Sequence, residues 1–143
     1  MKRVLFDINV VLDVLLDRRP HSKDAEDAWT LVECGVIDGY VPAHGITTIH
    51  YLAQRQRDAA FARAAVGGVL EVFEVAPVDA DTLRQALGLE IADFEDAVCV
   101  AAADGVGCDA IVTRDPAGFR GSPVRVVTPE ALVAFHGGTG AVE

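Results

Sequence analysis

Positive charge is scarce in this chain: 12 Lys+Arg stand against 22 Asp+Glu in 143 residues, for a formal net charge of −10 with histidine neutral. A surface with that balance repels polyanions, which argues against wrapping DNA by bulk electrostatics and against a role on anionic membrane surfaces. Long apolar runs are missing too. Asp13 and Asp17 interrupt the longest one, near the N-terminus, so no segment reaches the length needed to cross a bilayer. The same stretch carries Asp7 within its apolar part and does not read as a signal peptide. Cysteine is limited to Cys34, Cys99 and Cys108, an odd number without CxxC spacing, as expected of reduced, buried thiols in a cytosolic protein. No repeat, low-complexity tract or linker divides the chain, and no Ser-His-Asp set, glycine-rich phosphate loop or zinc spacing occurs.

What is present is ordinary globular composition, 51% hydrophobic and 24% charged, enough for one domain with a proper core. That domain is expected over residues 1–136, with 137–143 as a frayed tail. Val4-Leu5-Phe6, Tyr40-Val41-Pro42, Ala110-Ile111-Val112 and Val124 to Val127 read as short buried strands, and Val69 to Val75 as a further β-rich run. Helices are expected over Ile8 to Leu16 with Asn9 as cap, Lys23 to Cys34 closed by Gly35, and Ile46 to Arg63 as one long or two short helices. Further helices are expected over Asp79 to Leu87, Asp93 to Asp104, and from Thr128-Pro129-Glu130 through Phe135. Strands alternating with helices imply a parallel sheet covered on both faces, a three-layer α/β/α sandwich of four or five strands. Ligands in such folds collect just beyond the carboxyl ends of the strands.

Carboxylates stand at those ends. Asp7 closes the first strand directly, and Asp115 follows Ala110-Ile111-Val112 by way of Thr113 and Arg114. Asp93 and Asp96 sit at the start of an apolar helix, at a spacing that shares one face. Alone, Asp93 reads as an N-cap with Asp96 as its capping-box partner, and Asp115 before Pro116 as a turn former. An acid ending an apolar strand has few purely structural uses, which sets Asp7 apart. Four carboxylates at one sheet edge repel one another unless cations join them. Oxygen-only donors favour hard ions, so Mg²⁺ or Mn²⁺ is the natural counter-charge. Phosphodiester hydrolysis is the chemistry that suits such a site.

At these residues the sequence resembles the PIN-domain ribonucleases, the fold of VapC-type toxins, over roughly Arg3 to Phe135. The motifs are Val4-Leu5-Phe6-Asp7-Ile8-Asn9, Asp93-Phe94-Glu95-Asp96-Ala97, and Thr113-Arg114-Asp115 with Phe119 beyond it. The resemblance implies a PIN-like fold, Asp7, Asp96 and Asp115 as metal ligands, and Asn9 and Thr113 as supports behind them. Asp93 would be a further ligand or a base that positions water. Two features depart from the family pattern. The stretch Gly45 to Leu52, where most members carry a Glu, holds Thr47-Thr48, His50 and Tyr51 but no acid, and Gly118 replaces the acid often found before the Phe. One ion and two ions therefore both remain open.

By this resemblance the chain is expected to be a cytoplasmic, metal-dependent endoribonuclease, the toxin of a toxin–antitoxin pair, with RNA as substrate, an antitoxin as partner and a homodimer as its assembly. Arg18, Arg19, Arg55, Arg57, Arg114 and His50 are candidate RNA contacts, with solvated or packed positions as the plain alternative for each. His44 reads as a packed histidine, and His21 as part of a solvated turn. Two other classes compete. A PIN fold without activity would serve as a protein-binding module, favoured by the missing Glu. A phosphoacceptor signalling domain also gathers acids at strand ends, but it usually needs a lysine after a late strand, and the only lysines are Lys2 and Lys23. A haloacid-type phosphatase would need Asp-x-Asp where Asp7-Ile8-Asn9 stands.

Overall fold

A computed structural model describes residues 1–137. The chain alternates β1 (Arg3–Phe6), α1 (Ile8–Leu15), α2 (Ser22–Glu33), β2 (Asp38–Pro42), α3 (Ala43–Gln56), α4 (Ala59–Val72), β3 (Glu74–Ala76), α5 (Ala80–Leu87), α6 (Phe94–Gly105), β4 (Ala110–Val112), a short 3-10 turn (Pro116–Phe119), β5 (Arg125–Val127) and α7 (Pro129–Phe135). The five strands are parallel, in the order β3-β2-β1-β4-β5. The expected layered α/β fold is therefore present, with all five strands.

The central strands show why the sequence folds this way. Val4, Phe6, Ala110 and Val112 enter one hydrophobic cluster with residues of α1, α2, α3, α4 and α7. Leu5 and Ile111, their neighbours in register, enter a second cluster with α6 and Phe119. All six are fully buried, as an apolar run covered on both faces requires. The helix starts are written locally. Asp79 and Thr82 form a capping box on α5, Asp58 accepts from the Phe61 amide, and Thr128 caps α7 ahead of Pro129. Gly35, at φ +75°, closes α2 in a conformation that favours glycine.

Three expectations are corrected. The β-rich run over Val69 to Val75 is mostly helix: α4 continues to Val72 and the strand is only Glu74–Ala76. Val66, Val69 and Val72 recur at helical spacing and pack into the cluster that α4 shares with α3, so tertiary burial overrides their β preference. Asn9 is not the cap of α1. Asp7 holds that position, and Asn9 is exposed in the first turn. Cys34 is exposed rather than buried, while Cys99 is buried and all three thiols are free. Of the expected tail, residues 138–143 lie outside those described.

The strand order locates a crevice. From β1 the chain builds outwards to β2 and β3, then returns to lay β4 on the other side of β1. The opening of such a reversal lies beyond the carboxyl ends of β1 and β4. A phosphoacceptor domain of the flavodoxin-like kind orders its strands 2-1-3-4-5, which this sheet does not do.

Candidate metal centre

Asp7 and Thr113 meet at that reversal. Phe6 is in register with Val112, and the Asp7 amide donates to the Val112 carbonyl at 3.0 Å, so the residues after the two strands are neighbours. The Thr113 hydroxyl, fully buried, donates to Asp7 Oδ2 at 2.8 Å and accepts from the Asp115 amide at 3.2 Å. One hydroxyl thus fixes both the first carboxylate and the backbone that presents the third. Asp7 is 6% exposed, and burial pushes its pKa above the ordinary carboxylate range. The Thr113 hydrogen bond opposes that rise, and the charge of Glu95 adds to it.

The start of α6 brings the other acids. Asp93 is the N-cap, its Oδ1 accepting from the Asp96 amide at 3.0 Å. Asp96 faces the crevice. Burial, then the charges of Glu95, Asp93 and Asp7, push its carboxyl up to about 7. A Cβ on Gly118 would lie 3.2 Å from Asp115 Oδ2 and 3.5 Å from Asp96 Oδ2, so both carboxylates border the space a side chain would take. Glycine at position 118 therefore keeps the gap between Asp96 and Asp115 clear.

Two groups in this region are not among the candidate site residues, because the partners that define them are distant in the chain. Glu95 sits among the acids: one of its oxygens lies within 4.8 Å of ligand atoms on both Asp93 and Asp96. Its Oε2 also meets His44 Nε2 at 2.7 Å and Cys99 Sγ at 3.1 Å, and the His44 contact holds it below the ordinary carboxylate range. His44 reaches it because Gly45 lets α3 lie against α1, where a Cβ would run into Ile8 Cγ2. An acid of α6 is thus held by a histidine of α3. His50, named as a candidate RNA contact with packing as the plain alternative, is half-buried elsewhere on α3.

The second group is Asp13. It is 1% exposed and takes Arg18 Nε on Oδ1 at 2.8 Å and Arg114 Nε on Oδ2 at 2.9 Å. Arg18 also donates to the Asn9 carbonyl at 3.0 Å and to Asn9 Oδ1 at 3.2 Å. Two of the cations expected to grip RNA are therefore held by a buried acid. Arg19 is 83% exposed with a loose contact to Asp17 at 3.5 Å, and Arg57 lies over the Phe61 ring. Arg55 lines a cavity of about 390 Å³ with Leu16, Arg18, Leu52 and Gln56.

The donors around the crevice are all carboxylate oxygens, and no ion pair joins Asp7, Asp93, Asp96 or Asp115 to a cation of the described residues. That set fits a hard divalent ion. It also fixes a pH response. Unfolded, Asp96 titrates near the usual carboxylate value of about 3.9, whereas folded and metal-free it holds its proton up to about 7. Its contribution is fully present below the unfolded value and is lost as pH rises through the folded one, because the folded state binds the extra proton in between. The metal-free protein is expected to lose melting temperature across that window relative to Asp96→Asn, and saturating Mn²⁺ to cancel the loss. Melting curves at pH 5 to 8 with and without Mn²⁺ check this; parallel curves for the two proteins would contradict it.

Comparison with known proteins identifies the family and the fold. The sequence model of the PIN domain family matches residues 3–117. No curated protein matches the chain by sequence. Among solved structures, the VapBC2 complex of Rickettsia felis, bound to a DNA fragment from its promoter, has a chain of similar fold, with a TM-score of 0.67 at 11% identity, covering 88% of this chain and 98% of that one. A toxin–antitoxin complex from Klebsiella pneumoniae gives 0.67 at 22% identity over 88% and 97%. VapC20 of Mycobacterium tuberculosis, a toxin that cleaves the sarcin-ricin loop, gives 0.62 at 18% identity over 76% and 86%.

Proposed function

The chain belongs to the PIN domain family, and from that premise we propose that it is a Mg²⁺- or Mn²⁺-dependent endoribonuclease, the toxin of a type II toxin–antitoxin pair. The observation that carries the reading is the convergence of Asp7, Asp96 and Asp115, with Asp93 and Glu95 beside them, at the reversal between β1 and β4 while the nearest arginines are tied to Asp13. A bound divalent ion would supply Lewis acidity and lower the pKa of coordinated water. Asp7, Asp96 and Asp115 would hold it, with Asp93 available as a further oxygen donor.

The chain's own groups divide the remaining work. Thr113 orients Asp7 through Oδ2, and it locks the Asp115 backbone through the same hydroxyl. Asp93 fixes the first turn of α6, so Asp96 enters the crevice from a capped helix rather than a loose end. Glu95, kept ionised by His44, is the group placed to accept a proton from attacking water. Phe119, buried in the second cluster, pins the turn that follows Asp115. Arg19 and Arg55 are the exposed cations left to meet the RNA backbone.

The partners follow from the neighbours in fold, which are toxin–antitoxin complexes. An antitoxin with a basic or aromatic segment would match the acidic crevice. A homodimer and a cytoplasmic location belong to the same proposal; no described helix is long and apolar enough to cross a membrane. Glu95, beside Asp93 and Asp96, speaks against the inactive binding module by adding an acid from α6.

RNA cleavage by the purified protein is the direct test. Cutting that requires Mn²⁺ or Mg²⁺, stops with EDTA and resumes on adding metal is the expected result. A protein that binds neither ion and cuts no RNA would return the reading to a binding module.

A further inference from the structure

We propose that His44, Glu95 and Cys99 form a second metal site, for a borderline-soft divalent ion such as Zn²⁺, beside the all-oxygen crevice. The three ligand atoms form a triangle: His44 Nε2 to Glu95 Oε2 at 2.7 Å, Cys99 Sγ to Glu95 Oε2 at 3.1 Å, and Cys99 Sγ to His44 Nε2 at 3.8 Å. Tetrahedral zinc, with bonds of about 2.0 Å to N and O and about 2.3 Å to S, sets its ligand atoms roughly 3.3–3.7 Å apart. Two edges need to open by about half an ångström, within reach of the Glu95 side chain, which is 45% exposed. The third edge is already long enough.

The supports are rigid. Glu95 and Cys99 are four residues apart on α6 and share a face, and His44 stands in the first turn of α3. His44 Nδ1 is buried without a hydrogen-bond partner, so Nε2 provides the ring's polar contacts, and they lie in this cluster. Donor chemistry separates the two neighbouring sites. Oxygen-only sets suit Mg²⁺ and Mn²⁺, whereas thiolate and imidazole select Zn²⁺ or Co²⁺. Three protein ligands leave the fourth position for water. Binding exchanges the Cys99 S–H bond for a sulfur–metal bond and releases one proton to solvent, while the His44 proton moves from Nε2 to Nδ1 so that the Nε2 lone pair faces the metal.

The site shares Glu95 with the nuclease reading, but its test needs no activity, so either can fail without the other. The full chain carrying Cys34→Ser, which removes the exposed thiol, is titrated with Co²⁺. The expected result is one equivalent bound with a thiolate-to-cobalt charge-transfer band and visible bands of four-coordinate cobalt. One equivalent of Zn²⁺ should erase them, and a large excess of Mg²⁺ should not. Cys99→Ser should abolish the charge-transfer band, and His44→Ala should weaken binding at least tenfold. Cys99→Ala, on a helix already lined by Ala97, Ala101, Ala102 and Ala103, provides the same test should serine disturb packing. Absence of the band, its survival without Cys99, or displacement by Mg²⁺ would each overturn the proposal.

Discussion

Asp7→Asn is expected to abolish Mg²⁺ and Mn²⁺ binding at the crevice and to lower RNA cleavage by at least about 10²–10³-fold, the scale of losing one preorganised contact to developing charge, while the fold stays intact. The two halves of that expectation have different causes. Asparagine has the same shape, and its Oδ1 can still accept the Thr113 hydroxyl that now bonds Asp7 Oδ2 at 2.8 Å. Its neutrality removes a charge that burial and Glu95 both disfavour in the metal-free protein. Melting temperature without metal should therefore hold or rise. With metal the order reverses, because wild type gains the binding energy of the ion and the variant does not. A purely structural Asp7 would show neither the crossover nor the loss of activity. Wild-type cleavage by a folded Asp7→Asn protein would end the ligand assignment.

Much of this was legible in the sequence, and the exceptions have a common cause. Val4-Leu5-Phe6 and Ala110-Ile111-Val112 are short, continuous apolar runs ending at polar residues, a pattern that suits a strand buried on both faces. Asp79, Thr128-Pro129 and Gly35 mark helix ends through contacts within a few residues, so their meaning is local. Glu95 was not local. Pairing Asp93 with Asp96 by helical spacing treats both as helix residues, yet Asp93 is the cap, outside the regular turns. What recruits Glu95 is His44, 51 positions away, and that contact exists only once α3 lies on α1 through Gly45. Asp13 shows both cases at once. Arg18, five residues on, was within reach of a local reading, whereas Arg114 is 101 residues away and arrives only with β4. Charge inside an apolar helix marks a break in hydrophobicity from sequence alone; its partner comes from topology.

Asp13→Ala is expected to cost about 3 kcal/mol, the lower end for removing one partner of a buried ion pair. For a chain of this size that is roughly 6–12 °C in melting temperature. The lower end applies because the arginine side chains are 32% and 35% exposed and recover some hydration, whereas Asp13 itself is 1% exposed. Activity should fall as well, by about 10- to 100-fold at temperatures where the variant is folded, since small misplacements of reacting groups carry costs on that scale. The route is positional. Asp13 holds Arg18, which holds the Asn9 carbonyl in the turn after Asp7, and it holds Arg114, which immediately precedes Asp115. Losing it loosens both flanks of the crevice together. Arg114→Met should recover part of the stability when added to Asp13→Ala, because it removes one of the stranded charges, and a double-mutant cycle measures that coupling. Full stability and full activity in Asp13→Ala would leave Asp13 without this role. The arrangement also accounts for how an acidic chain places its few cations. Two of them are committed to an acid beneath the crevice rather than to the acids within it, so neutralising Asp7, Asp96 and Asp115 falls to an ion from solution.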